Sequence, residues 1–322
     1  MGCIFQLLLI PLSDKNNFSE MDKHKAAGHA SVLLANIAFG LGVPVTAWLL
    51  TDWATPMTYM AARCIGAAVV FWALSLFLPK EKIAGKDLLV IMGGGLLGFV
   101  LSQTLAAWAL YYTTPVYFSV IASLTPVATM LMASLFLSEQ ITMGKAVGVA
   151  IGIMGALLGI LIIWQSGTGK NDLLGISLAL LSLLSWAAYL IITRSVSQKY
   201  SAVSQMKWIF LISTIAVLPF AWHEFPQAQL FCGAVQGNFW QGWSGMLFII
   251  LFATVAGFFA IPFAMRYLKA TTVSVYTNLQ PIVASLVAIS IGQDSLTWDK
   301  PVALILVLLS AYIVTKENQH GH

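Results

Sequence analysis

The sequence predicts an all-α integral membrane protein, with ten transmembrane helices arranged as two inverted five-helix repeats and both termini in the cytoplasm. Three observations carry this prediction. Of the 322 residues, 59% are hydrophobic and only 9% charged, against roughly 25% charged in an ordinary soluble domain. Lipid must therefore be the solvent for most of the chain. Residues 109–147 and 264–302 align without a gap at an offset of 155, with eleven of 39 positions identical, among them Tyr112/Tyr267, Ser119/Ser274, Pro126/Pro281 and Lys145/Lys300. Finally, Lys and Arg fall almost entirely into alternate loops.

A helix that crosses a bilayer needs about 20 mostly apolar residues. Ten runs approach or meet that length: 30–50, 57–78, 88–110, 115–137, 144–164, 173–193, 205–222, 243–267, 271–292 and 299–316. Pro, Gly, Lys and Asp clusters such as Pro79-Lys80-Glu81-Lys82 and Gly167 to Asp172 separate them. The organisation expected is a leader over 1–29, a first repeat over 30–164 and a second over 165–322. The leader is expected to be disordered. It lacks a basic n-region and a cleavage site, it carries Gln6 where a myristoylation pattern wants Ser or Thr, and Met21 offers an alternative start.

Basic residues orient the spans. With the N-terminus inside, thirteen of the sixteen Lys and Arg are cytoplasmic, Lys170 and Lys300 are external, and Arg63 lies within the second span. The longest outer loop, 223–242, holds no Lys or Arg. Five spans per half is an odd number, so the second half enters the membrane from the opposite side. Such an inverted repeat places a binding site near the midplane, between two states open to opposite sides.

Five plus five spans, a proline in the middle of the fourth and ninth (Pro126, Pro281) and an acid ending each (Glu139, Asp294) resemble the EamA family of the drug/metabolite transporter superfamily. Arg63 in AARCIGAAVVFWAL matches the Arg of the family's second span. Trp186 in LLSLLSWAAYLIITR matches the aromatic of the sixth, with Phe39 in its place in the first. Asp294 departs from the usual Glu, and loop 223–242 is long for the family. The resemblance implies a multi-pass protein of the bacterial inner membrane that exports amino acids, metabolites or drugs.

Pro126 and Pro281 remove a backbone donor and free carbonyls in mid-helix. They are hinge candidates, or static kinks. Their neighbours Ser123, Thr125, Asn278 and Gln280 could bond a substrate or satisfy the freed backbone. Arg63 could snorkel to the outer headgroups, anchor a substrate carboxylate, or pair with Asp52. Glu139 and Asp294 could gate the two faces or merely meet Lys145 and Lys300. Many of the aromatics belong to the interfacial belt, whereas Phe39, Tyr117, Trp186 and Tyr276 lie deeper and are cavity-wall candidates. Gly144, Gly148 and Gly152 form a close-packing stripe.

No cofactor, metal or catalytic residue is expected. The three cysteines are scattered, and the five histidines avoid the span centres. The segment around Lys170 has Trp164 where a phosphate-binding loop needs its first Gly. Expected partners are a small-molecule substrate and the lipid bilayer, not nucleic acid, with monomer or homodimer left open. The function expected is secondary active or facilitative export of amino acids or similar small metabolites by alternating access. A carrier of a drug, nucleoside or lipid-linked intermediate, or a non-transport membrane enzyme or scaffold, are the alternatives.

Overall fold

The computed structural model describes residues 18–138, 141–144, 146–151, 153–154, 170–232 and 239–290, with positions 302, 305, 306 and 309. All regular structure among them is helical. The elements are α1 (Phe18–Asp52), α2 (Pro56–Leu76), α3 (Gly85–Gly95), a π-helical stretch (Leu96–Leu101), α4 (Ser102–Tyr112), α5 (Pro115–Ala122), α6 (Thr125–Leu137), α7 (Asp172–Lys199) and α8 (Ala202–Ala221). After a 3₁₀ turn at Phe225–Gln227 come α9 (Gln229–Cys232), α10 (Phe239–Phe248), a second π-helical stretch (Ile249–Ala256), α11 (Gly257–Met265), α12 (Ala270–Val275), a 3₁₀ turn (Tyr276–Asn278) and α13 (Leu279–Ser290).

Helix starts follow local chemistry. Thr55, Thr114, Asn171 and Ser201 each cap the next helix, their side-chain oxygens accepting from a backbone N–H of its first turn. Pro56 and Pro115 follow two of these caps, where their missing donor costs nothing. Six apolar stretches are long enough to cross a membrane: Lys23–Asp52, Pro56–Leu76, Gly85–Tyr112, Asp172–Lys199, Ala202–Ala221 and Trp240–Met265. They coincide with the first, second, third, sixth, seventh and eighth predicted spans. Their outer faces expose large aliphatic and aromatic side chains, Leu34, Val69, Leu89, Ile215 and Phe220 among them, as lipid contact requires.

The other spans differ from the simple expectation. The fourth and ninth are each two pieces, α5 with α6 and α12 with α13, rather than one bent helix. The fifth is described only in part, helical at 143–144, 146–151 and 153–154. The tenth lies almost wholly outside the described residues, and so does Gly152 of the glycine stripe. At the other end, α1 begins at Phe18 rather than residue 30, so part of the expected leader is helical. Its winding continues because His24 stacks on Tyr267 at 5.3 Å and Gly28 packs on Leu268.

Packing alternates between the halves. Phe71 of α2 stacks on Phe210 of α8 at 5.5 Å. Along α4, Ser182 Oγ of α7 donates to the Ser102 carbonyl at 2.8 Å. Along α11, Ser31 Oγ of α1 donates to the Ala260 carbonyl at 3.1 Å. The two π-helical stretches share the repeat offset: 96–101 shifted by 155 becomes 251–256, inside the second stretch. A π turn widens the helix by one residue and leaves carbonyls to be met from outside. Ser185 Oγ meets one, the Leu97 carbonyl, at 2.7 Å.

Candidate functional site

At the centre lies a cavity of about 110 Å³. Both halves of the chain build it. Phe39 and Thr46 come from α1, Tyr59 and Arg63 from α2, Gln103 and Leu110 from α4, Ser182 and Trp186 from α7, and Thr125, Thr277 and Gln280 from the interrupted helices. Most of the wall is apolar. Phe39, Trp186 and Phe258 interlock edge to face, with centroids 5.4 to 6.5 Å apart, a favoured arrangement for aromatic rings.

The cavity lies toward one end of the bundle. On α2, on the third span and on α7 its lining runs from about mid-span toward the 53–55, 113–114 and 170–171 turns. Toward the other end the helices close. Gln280 Nε2 donates to Asn36 Oδ1 at 2.8 Å, and Asn36 Nδ2 donates to the Val32 carbonyl at 2.8 Å. Farther along α1, His29 Nδ1 and the Tyr276 hydroxyl share a hydrogen bond of 2.7 Å. At that same end, Tyr200 donates its hydroxyl to Asp87 at 2.8 Å, and Lys199 pairs with Asp87 at 3.3 Å.

Arg63 is the charged group of the cavity wall, with 5% of its surface exposed. Its Nε donates to Thr254 Oγ1 at 2.9 Å, and Nη1 donates to Gln103 Oε1 at 3.2 Å and to Met60 Sδ at 3.8 Å. The faces of Phe99 and Tyr59 lie 5.1 and 5.3 Å from the guanidinium carbon. Every one of these partners is neutral. Asp52 is exposed and does not reach it, and no carboxylate among the described residues bonds it. A cation at membrane depth costs a few kcal/mol, so neutral dipoles and ring faces supply only part of the compensation.

The two prolines sit at the helix interruptions. Pro126 has no N–H for the Ala122 carbonyl, and Thr125 Oγ1 donates to that oxygen instead at 2.6 Å. One turn on, Thr129 Oγ1 donates to the Thr125 carbonyl at 2.8 Å. Before Pro281, Thr277 Oγ1 donates to the Ser274 carbonyl and Ser274 Oγ to the Thr271 carbonyl. A side-chain hydroxyl thus takes over the bond that Pro126 removes, and hydroxyl-to-carbonyl bonds also run through the turn before Pro281.

Of the candidates from sequence, Phe39, Arg63, Thr125, Trp186 and Gln280 meet at the cavity. Tyr117 and Ser123 are buried but do not line it. Tyr276 turns to His29 instead. Asn278 is buried with its Oδ1 unpaired among the described residues. Glu139 and Asp294, with Lys145 and Lys300, lie outside the described residues. Sequence reasoning missed Gln103, Thr254 and Asn36. Each is a polar residue in an otherwise apolar span, a signal that could have found them. Among the described residues no cluster of metal-ligating side chains occurs.

The fold and site define a polytopic α-helical membrane protein with a central cavity. The family profile of EamA-like transporters matches residues 26–161 and 173–316. The chain belongs to this family, and so to the drug/metabolite transporter superfamily. Over 284 residues it is 25% identical to an uncharacterized transporter of Archaeoglobus fulgidus, covering 86% of this chain and 98% of that one. The uncharacterized transporter YetK of Bacillus subtilis is 24% identical over 229 residues, covering 69% and 67%. A WAT1-related protein of Arabidopsis thaliana is 27% identical over 186 residues, covering 51% and 47%. One solved crystal structure shares the fold, with a TM-score of 0.70 at 15% identity over 93% of this chain and 98% of that one.

Proposed function

We propose that the chain is a secondary active or facilitative transporter that exports amino acids or similar small metabolites across the bacterial inner membrane by alternating access. The observation that carries this reading is the one-sided cavity, built from both halves and closed at its far end by the Asn36–Gln280 and His29–Tyr276 contacts. With the orientation expected from Lys and Arg, the mouth faces outward and the closed end faces the cytoplasm. Ten spans in two inverted repeats then allow the same helices to open the opposite end.

Reciprocal packing supports the inversion. Gly42 of α1 packs on Ala253 in the second π-helical stretch, with 3.2 Å to a Cβ built at the glycine. Tyr189 of α7 packs on Gly98 in the first. Gly98 and Ala253 are repeat mates at the offset of 155, and the Phe39-to-Trp186 spacing takes Gly42 to Tyr189. In each half a glycine thus takes part in the corresponding close contact, Gly42 in one and Gly98 in the other. The test is counterflow in vesicles reconstituted with the purified protein and loaded with a mixture of labelled metabolites. Exchange of a labelled solute supports the carrier; product formation without flux sinks it.

A further inference from the structure

We propose that the cavity is selective for an amphipathic organic carboxylate, held by Arg63, and does not require an ammonium group on the cargo. This rests on the carrier reading and, within it, favours carboxylates without an ammonium group over amino acids themselves.

Arg63 offers five N–H donors in a planar fork. Its partners among the described residues engage Nε and Nη1; Nη2 has none. The side chain is buried in the wall of the cavity, with the cavity as its open side. Thr254 holds Nε, and the Phe99 and Tyr59 rings lie against the guanidinium, so the fork cannot swing freely. A carboxylate in the cavity would complete the donor set and neutralise the charge together. A fork held in place favours such a planar, two-oxygen acceptor.

Among the described residues the cavity has no counterpart for a cationic group: no Asp or Glu of theirs lines it. Thr46 shares a hydrogen bond with Tyr59 at 2.7 Å and Thr125 donates to the Ala122 carbonyl, so what such hydroxyls can offer an ammonium is a neutral oxygen, not a counter-charge. An ammonium would be desolvated beside a guanidinium with only neutral oxygens to receive it, an unfavourable exchange for water. The rest of the wall, Phe39, Trp186, Leu110 and Phe118, suits a hydrocarbon or aromatic body. The charge thus selects the head of the cargo and the aromatic wall its body.

Three probes with one phenyl body separate head groups: 3-phenylpropanoate, phenylalanine and phenethylamine. The full-length protein in detergent is titrated with each, reading thermal stabilisation, and vesicles are assayed for counterflow of each. The expected order is 3-phenylpropanoate ahead of phenylalanine by about tenfold or more, with phenethylamine weakest. Arg63→Gln abolishes the order, and Arg63→Lys keeps it at lower affinity. Equal binding of all three, preference for the amine, no binding of any, or an order unchanged in Arg63→Gln would each overturn the proposal. If Arg63→Gln does not fold, the ranking on the native protein still decides. Carboxylate binding without counterflow would sink the carrier reading and leave the anchor; counterflow without charge preference would do the reverse.

Discussion

Phe99 and Thr254, 155 positions apart, both contact the guanidinium of Arg63, the ring with its face at 5.1 Å and the hydroxyl by accepting from Nε at 2.9 Å. Each lies in a π-helical stretch, one in each half of the chain. Among the described residues, the charged group of the cavity wall is therefore held by one partner from each of the two widened stretches. Widened turns are frequent at functional sites because they re-aim side chains without breaking the helix.

Removing the hydroxyl at this junction should be felt. Thr254→Val leaves the Arg63 Nε–H buried without its acceptor, and an orphaned buried donor costs about 1–3 kcal/mol. A lower melting temperature in detergent is expected, with Thr254→Ser close to the native protein. Identical melting of the Val variant would show that the bond contributes nothing.

Two glycines of one span should respond oppositely. A Cβ at Gly98 would stand 2.3 Å from Tyr189 Cγ, a buried ring that has no room to retreat, whereas nothing lies within 4 Å of one at Gly93. Gly98→Ala should destabilise by about 1–3 kcal/mol through overpacking. Gly93→Ala should be stabilising by about 0.5–1 kcal/mol, the usual gain in a helix interior. Melting curves that move together would contradict this account of the packing.

At the first interruption, Pro126→Ala supplies an N–H to the Ala122 carbonyl and competes with the Thr125 hydroxyl. The helix should straighten there, and transport turnover should fall while membrane insertion persists. Pro281→Ala should behave alike in the second half. Counterflow rates at matched protein amounts check both. Unchanged rates in the two variants would reduce the prolines to packing features.

Tyr276→Phe removes the hydroxyl bonded to His29 and loosens the closed end. A cysteine introduced at Ser31, in a background without native cysteines, should then react faster with an impermeant maleimide applied to the side bearing Lys80 and Lys199. Labelling as slow as with Tyr276 intact would mean that the closure rests elsewhere.

Much of this architecture is legible in the sequence, because lipid imposes a simple code on length and apolarity. Six spans fall where hydropathy puts them, and the prolines mark both interrupted helices. That these become separate pieces was not legible, since it depends on side-chain bonds such as Thr125 to Ala122 and on the 3₁₀ turn at Tyr276–Asn278. The π-helical stretches were also hidden, because one extra residue per turn leaves composition unchanged. Arg63 was conspicuous as a cation within a span. Its partners were not, for Gln103 and Thr254 lie 40 and 191 residues away in sequence.

The neutral surroundings of Arg63 have an electrical consequence. With no carboxylate beside it among the described residues, the empty site carries a positive charge, and a bound monocarboxylate would cancel it. Membrane voltage, worth about 2.3 kcal/mol per elementary charge per 100 mV, would then act on the return of the empty protein rather than on the loaded step. Transport of one such anion would still move net charge in each cycle. Flux measured against imposed potassium-diffusion potentials reads this directly: the rate should shift with voltage when empty return is limiting, and lose that dependence under exchange, where the site is never empty.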